Sequence, residues 1–460
     1  MISLGGSAIR SCEGTTRREW LRAGGLTCLG LSLPELLHRR AVAAPQTQPP
    51  TFGRAKSCIV VFLFGAPAHQ DIWDLKPLAP SEIRGEFRPI SSSVPGIHFG
   101  EHVPRIAQQA HQFTQIRSVS HPDNTHTVAM HTMLTGVRHL RPGTNPQNAP
   151  DDFPTFGAVL QKLRGGRGAL PAGISLNAPA NQVSANNHIF PGFFAGFLGS
   201  VYDPLFVPQD PSRSDFQPFP VAEGEAARRL RARRPLLAEV DRQQQELTQR
   251  AGVRSLDAHY SRAFDLVTSP ATRRAFDLGA ESERLRHRYG SSAFGQGLLL
   301  SRRLVEAGVP LVTVNWARDD AFWDTHANNF NLLKNSLLPP FDQGFSALLE
   351  DLRARGILDE TLVVCLGEFG RTPRINGQAG RDHWAACNTV VLAGAGVGGG
   401  LIHGASDRWA AYPSTAPVSP ADIAATIYHA LGVDLDTQLY DSVGRPLPLC
   451  TGTPLTSLFA

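Results

Sequence analysis

The chain reads as an α/β protein built on a mostly parallel sheet with helices on both faces. Three observations predict this. Continuous apolar, β-branched runs recur along the sequence, as in strands buried on both sides. Helical patterns lie between those runs, as crossover connections require. Gly 43 and Pro 35 in 460 residues make the connections loop-rich, which suits a site assembled from strand-end loops.

The first strand is Ser57–Phe64 (SCIVVFLF), stopped by Gly65 and Pro67. A shorter run follows at Phe113–Val119, and further strands are read at Val309–Trp316, Thr361–Leu366 and Thr389–Leu392. The pattern predicts helices over Ser291–Ala307, Asn328–Arg355 and Ala421–Leu431. The last is introduced by Ser419-Pro420, with Asp422 in its first turn. Another helix follows His121-Pro122-Asp123-Asn124-Thr125-His126, carries His131 and ends at Leu134-Thr135-Gly136. Residues 203–277 are rich in Arg, Gln, Glu and Ala and read as a helical insertion. Gly394–Gly400 (GAGVGGG) lacks the spacing and lysine of a phosphate-cradling loop and reads as a flexible hairpin between two late strands.

Residues 1–44 read as a twin-arginine export signal, followed by a Pro/Gln/Thr linker over 45–55. Arg17-Arg18 stands ahead of an apolar run from Ala23 to Leu33, and Ala41-Val42-Ala43 offers a cleavage site. The expected destination is periplasmic or extracellular. No other stretch reaches the ~18 apolar residues of a membrane span. Cys58, Cys365, Cys387 and Cys450 would remain after cleavage, without CxxC or zinc-finger spacing. The formal charge of +4, from Lys+Arg 44 against Asp+Glu 40, is too weak a bias for a nucleic-acid partner.

Open sheets of this kind bind ligands at the carboxyl ends of their strands, and the chemistry-bearing motifs fall there. Asp324 and His326 follow one strand, Glu368 and Arg371 follow another, and His69 and Asp71 follow the first. His383 stands in Gly380-Arg381-Asp382-His383-Trp384, just before the last long strand. Carboxylate and imidazole side chains gathered in this way suit zinc or manganese, or calcium if more carboxylates take part. Each residue also has an ordinary alternative. Asp324 can cap the helix near Asn328, Glu368 can pair with Arg371, His383 can be a hydrogen-bonded structural residue, and His126 can pack on the face it shares with Met130 and Leu134.

The motifs GAPAHQDIWDLKP (65–77), RGEFRPI (84–90), HPDNTH (121–126), LTG (134–136), DDAFWDTH (319–326), GEFGRTP (367–373), GRDHW (380–384) and ADIAATIYHALG (421–432) are together specific. With them the chain resembles the bacterial secreted family labelled domain of unknown function 1501, from about Lys56 to Phe459, so that 56–460 form one domain. That family is similar to the alkaline phosphatase and sulfatase superfamily. The resemblance implies a three-layer α/β/α sandwich of alkaline-phosphatase-like fold that uses metals to hydrolyse phosphate or sulfate esters. It also implies that Asp324, His326 and His383 form one metal triad and that Glu368 takes the place of a carboxylate at a second metal.

The chain departs from the superfamily at three places. Gly65-Ala66-Pro67 stands where a metal-binding aspartate is usual, so His69 or Asp71 would have to substitute. Phe369 stands where a second-site histidine is common. His126, flanked by Thr125 and Thr127, occupies the nucleophile's place, and no Cys that could become formylglycine is present. The expected protein is an exported hydrolase holding one or two divalent ions (Zn, Ca or Mn) and acting on a small-molecule or polysaccharide ester. Thr125 or Thr127 is the candidate nucleophile, His126 an acid/base or ligand, and Arg371 the group facing the substrate anion. The alternative is an exported binding or structural protein that keeps the fold and a partial metal site.

Overall fold

The computed structural model describes residues 51–166, 168–177, 189–219, 229, 263–316 and 322–459, and alternation along its first strand sets the layering. In β1 (Ser57–Phe62) every residue is buried. Cys58, Val60 and Phe62 face one core, whereas Ile59 and Val61 face a second core on the other side. This burial on both faces is why the run reads as uninterruptedly apolar.

The other strands of the main sheet are β2 (Phe113–Val119), β3 (Gly173–Leu176), β4 (Leu205–Val207), β5 (Leu311–Asn315), β6 (Thr361–Leu366), β7 (Asn388–Ala393) and β8 (Leu401–His403). Their order across the eight-stranded sheet is β8-β2-β7-β6-β1-β5-β3-β4. β1 pairs in parallel with β5 and β6, while β7 runs antiparallel to both of its neighbours, β2 and β6. Helices α1 (His126–Thr135), α2 (Phe156–Arg164) and α5 (Pro420–Ala430) contribute to the core that holds Val60. Helices α3 (Ala293–Glu306) and α4 (Leu338–Ala354) contribute to the core that holds Ile59. The result is a three-layer α/β/α arrangement on a mostly parallel sheet, as the sequence pattern predicts.

Three details differ from the sequence reading. The stretch Asn328–Arg355 is not one α-helix: a short helix at Asn329–Leu332 passes through a π-helical turn, Leu333–Leu337, into α4. Pro339 and Pro340 explain the break, because neither offers an N–H to continue the ladder. The glycine-rich stretch 394–400 is not a hairpin, since β2 lies between β7 and β8. The loop instead crosses the end of β2, where Gly400 N–H bonds to the Phe113 carbonyl at 3.0 Å. Finally, Leu205–Val207, which the sequence reading places inside the helical insertion, is the edge strand of the main sheet. The export signal, the linker as far as residue 50, residues 220–228 and 230–262 of the insertion, and residues 317–321 lie outside the described residues.

Among the described residues no helix is long and apolar enough to cross a membrane. Cys58, Cys365, Cys387 and Cys450 are all free and buried.

Helix α5 starts with a capping box in which the Ser419 hydroxyl accepts from Asp422 N–H at 3.2 Å and the Asp422 carboxylate accepts from Ser419 N–H at 2.9 Å. Ser419→Ala is expected to destabilise the protein by about 1 kcal/mol, read as a lower denaturant midpoint with an unchanged slope.

Candidate metal centre

Parallel strands deliver their following loops to one edge of the sheet. Residues 63–74 follow β1, 120–126 follow β2, 322–326 lie beyond β5, and 367–372 follow β6. Because β7 is antiparallel, the residues that precede it reach that same edge, and they include His383. A short ribbon pairs His383–Trp384 with Gly370–Arg371. Two glycines allow the loops to close on one another. A Cβ on Gly65 (φ +105°) would stand 2.5 Å from the Asp324 amide nitrogen, and one on Gly380 would stand 1.8 Å from the His326 carbonyl oxygen.

The imidazoles of His126, His326 and His383 meet here, and each is anchored through Nδ1 to an oxygen that can only accept. His126 Nδ1 lies 2.6 Å from Glu368 Oε1, His326 Nδ1 lies 2.8 Å from Asp382 Oδ1, and His383 Nδ1 lies 2.8 Å from the Asn124 carbonyl. Every one of these Nδ1 atoms therefore carries a proton, and in the neutral rings Nε2 is left as a bare lone pair. The Nε2 atoms turn toward Asp324. His383 Nε2 is 3.2 Å and His326 Nε2 is 3.1 Å from Asp324 Oδ1, while His126 Nε2 is 3.2 Å from Oδ2.

This donor set fits a small divalent ion. The Nε2 atoms of His326 and His383 are 2.9 Å apart, so two lone pairs face each other unless a positive charge lies between or beside them. With Asp324 Oδ1 they form a triangle whose edges match the roughly 3.3 Å ligand spacing of a tetrahedral zinc with bonds near 2.0–2.1 Å. His126, Asp324 and His383 each place a donor atom within 4.8 Å of the others. His126 Nε2 is itself buried and, despite its nearness to Asp324, off hydrogen-bond geometry.

The local field favours positive charge. Burial alone would lower the His126 pKa, but the Asp324 and Glu368 carboxylates outweigh it and raise the pKa to about 9. Burial pushes the Asp324 carboxyl up, yet the adjoining imidazoles of His126 and His383 and the charge of Arg371 bring it far below the usual carboxylate range.

The structure relocates four of the predicted residues. Glu368 is fully buried, and its carboxylate accepts from the amides of Gly65 (2.9 Å) and Ala66 (3.1 Å) as well as from His126, so it anchors that imidazole. Asp71 and Arg381 form a buried bidentate pair, at 2.7 Å for both contacts, and Asn329 donates to the same carboxylate at 2.9 Å. His69 is fully buried with Nε2 3.3 Å from the Ala410 carbonyl, and burial lowers its pKa to about 4. Arg371 is committed to protein partners. Its buried guanidinium donates to the carbonyls of Gly65, Ala66 and Arg381 and to Asp324 Oδ1. Its ionic partner is thus Asp324 rather than Glu368.

Thr125 stands at the N-cap of α1 with no side-chain capping bond. The first-turn amides of that helix consequently lack an intrahelical acceptor and receive none from the cap. Asp324 does not cap the helix that begins at Asn329. The anchoring roles of Asp382, the Asn124 carbonyl and the Gly65-Ala66 amides are absent from the sequence reading. The adjacency of Asp382 to His383 was the one available signal for the first, and backbone partners leave none.

A separate groove of about 940 Å³ is lined by His131, His139, Asp152, Phe153, Phe197 and Leu447 among others. Its His139–Asp152 contact of 3.1 Å is satisfied internally, and it shares no candidate ligand with the centre.

Residues 55–459 match the model of a family described as "Protein of unknown function (DUF1501)". No curated protein matches the sequence. Among solved structures the chain is similar to the PsFucS1 sulfatase from Pseudoalteromonas sp., at 13% identity over 86% of this chain and 71% of that one, with a TM-score of 0.38. It is similar to the phosphonate monoester hydrolase SpPMH from Silicibacter pomeroyi at 13% identity, over 87% and 76% of the two chains, with a TM-score of 0.41. For the lipoteichoic acid synthase LtaP from Listeria monocytogenes the values are 12%, 88%, 78% and 0.40. These are distant likenesses.

Asp71→Ala is expected to leave the buried Arg381 charge uncompensated and to cost about 3–5 kcal/mol of stability, measured by chemical denaturation. The folded fraction should bind divalent metal as tightly as the parent, because Asp71 does not belong to the cluster.

Proposed function

We propose that this chain, which belongs to the DUF1501 family, is an exported metal-dependent hydrolase of sulfate or phosphate esters. One observation carries the reading. Three imidazoles, each fixed by an oxygen at Nδ1, aim Nε2 at a single carboxylate. Zinc sites in proteins use this arrangement of ligand and outer partner.

Asp324, His326 and His383 would hold the cation, with His126 beside them. When bound, the cation would polarise an ester oxygen and acidify a water. The remaining tasks fall to the chain itself. The open N-terminus of α1 would receive the anionic sulfate or phosphate group on its free amides. The Thr125 hydroxyl, half-buried and unused as a cap, is the candidate nucleophile. Arg371 acts indirectly by fixing Asp324.

The donors also bear on the ion. Calcium takes six to eight oxygen ligands, whereas two of the carboxylates expected as ligands, Glu368 and Asp71, are bonded elsewhere. A zinc-like ion matches better. The alternative of a non-catalytic binding protein draws support from Phe369, whose ring packs 4.9 Å from His126 and 4.7 Å from His383 and narrows the centre. Residues 1–44 remain our proposed export signal.

Asp324→Ala and His383→Ala should each strip metal from the purified protein and abolish turnover of aryl sulfate or aryl phosphate esters. Elemental analysis showing full metal in both variants would remove the assignment, and metal with no turnover on any ester would favour the binding role.

A pH dependence follows from His126. Its folded pKa of about 9 lies above the ordinary 6.5, so the metal-free protein gains stability from the charged ring at low pH. That gain is full below about 6.5 and fades as pH rises through about 9. Cation binding must displace this proton, so apparent metal affinity should climb over the same window. Calorimetric titration in buffers of different ionisation enthalpy would reveal the released proton, and affinity flat across that window would contradict the assignment of His126 to the site.

A further inference from the structure

We infer that Glu368 is a positioning residue acting through His126, and that the centre in consequence takes one cation and has no second position. This rests on the metal-site reading above and sharpens it.

The argument begins with what the carboxylate touches. Glu368 is fully buried, Oε1 accepts from Gly65 N–H and His126 Nδ1–H, and Oε2 accepts from Ala66 N–H. A carboxylate facing three N–H donors has much of its oxygen surface already occupied by them. A cation placed on its free side would be set against the hydrogens of the same donors. Among the described residues the carboxylate's neighbours are engaged elsewhere. The Glu368 carbonyl accepts from His121 Nε2 at 2.7 Å, the Phe369 ring lies over His126 and His383, and Asp71 is held by Arg381.

What Glu368 does instead is choose a tautomer. By accepting the hydrogen bond of His126 Nδ1–H it keeps the proton on Nδ1 and leaves Nε2 as the atom that faces Asp324. The holding unit closes on itself. Arg371 grips the carbonyls of Gly65 and Ala66, the amides of those residues grip Glu368, Glu368 grips His126, and Arg371 also grips Asp324. One guanidinium thereby fixes both partners of the His126–Asp324 approach.

A double-mutant cycle on the full chain tests this, with cobalt(II) as the probe and its visible spectrum as the readout. Glu368→Gln keeps an oxygen for the imidazole but loses the charge, and should weaken cobalt binding by about 10–100-fold while wild type binds one ion per chain. His126→Ala should also weaken it and alter the spectrum. The decisive comparison is Glu368→Gln made in the His126→Ala background, where little further loss is expected because the two residues act as one unit.

Equal losses in both backgrounds would mean that Glu368 does not act through His126, and two cobalt ions per wild-type chain would mean a second position exists. Either result overturns the inference. Failure of the underlying site looks different: Asp324→Ala would then bind cobalt as wild type does.

Discussion

The centre depends on a buried guanidinium. Arg371 has no exposed side-chain surface, and its donors reach loops that follow different strands: Gly65 and Ala66 after β1, Asp324 beyond β5, and Arg381 ahead of β7. Burial lowers its pKa, and the charge of Asp324 works against that loss. A buried guanidinium that keeps its charge must have its N–H groups bonded, because an unpaired charge inside a protein is costly. Satisfying those donors with carbonyls from separate loops leaves the loops little freedom to part. Arg381 repeats the device one layer out, joining the Asp71 carboxylate to the carbonyls of Ile83, Thr372 and Pro373. The loops at this edge are therefore braced by charge and hydrogen bonding, alongside a small apolar cluster of Ala66, Ala129, Phe369 and Ala385.

Bracing of this kind explains how a half-exposed cluster can be preorganised. Asp324 and His326 are 35% and 43% exposed at their side chains, and exposed ionic contacts alone contribute little. Their geometry is imposed from beneath. Asp324 rests on Arg371, and His326 is fixed by Asp382, which Asn376 holds in turn at 3.1 Å. Trp323, next to Asp324, is fully buried against Trp316 and Phe341. The functional side chains thus stand on a layer that has no freedom to relax.

Most of the fold was legible because its signals are local and periodic. β1 and β6 are buried on both faces and read as apolar runs, and α5 announces itself through Ser419, Pro420 and Asp422. The direction of β7 was not legible, since antiparallel and parallel central strands share one pattern. That direction matters, for a parallel β7 would have put His383 at the opposite edge, away from Asp324. Residue type pointed to Asp324, His326 and His383, yet it could not separate a carboxylate that faces the imidazoles from one that orients them. Glu368 and Asp71 are chemically equivalent to Asp324 in the sequence. They differ only in whether backbone amides or a guanidinium reached them first, which tertiary contacts alone decide. The edge strand Leu205–Val207 was hidden for a different reason, being only three residues long and only partly buried at two of them.

A proton could serve some of the needs of this cluster, and the reason to favour a cation is geometric. One proton between His326 Nε2 and His383 Nε2 would turn their 2.9 Å approach into an ordinary hydrogen bond. That same proton cannot satisfy His126 Nε2, which approaches the other oxygen of Asp324 and has no hydrogen-bond partner of its own. A second proton would be needed there, and the raised His126 pKa is the sign of its uptake in the metal-free protein. Two protons on separate nitrogens and one divalent ion carry the same charge. A proton joins only two atoms, however, whereas a divalent ion can be shared among several donors. Nitrogens whose other sides are all fixed by oxygen suit a shared ion, because the fixed protons at Nδ1 leave each ring a single atom with which to bind it.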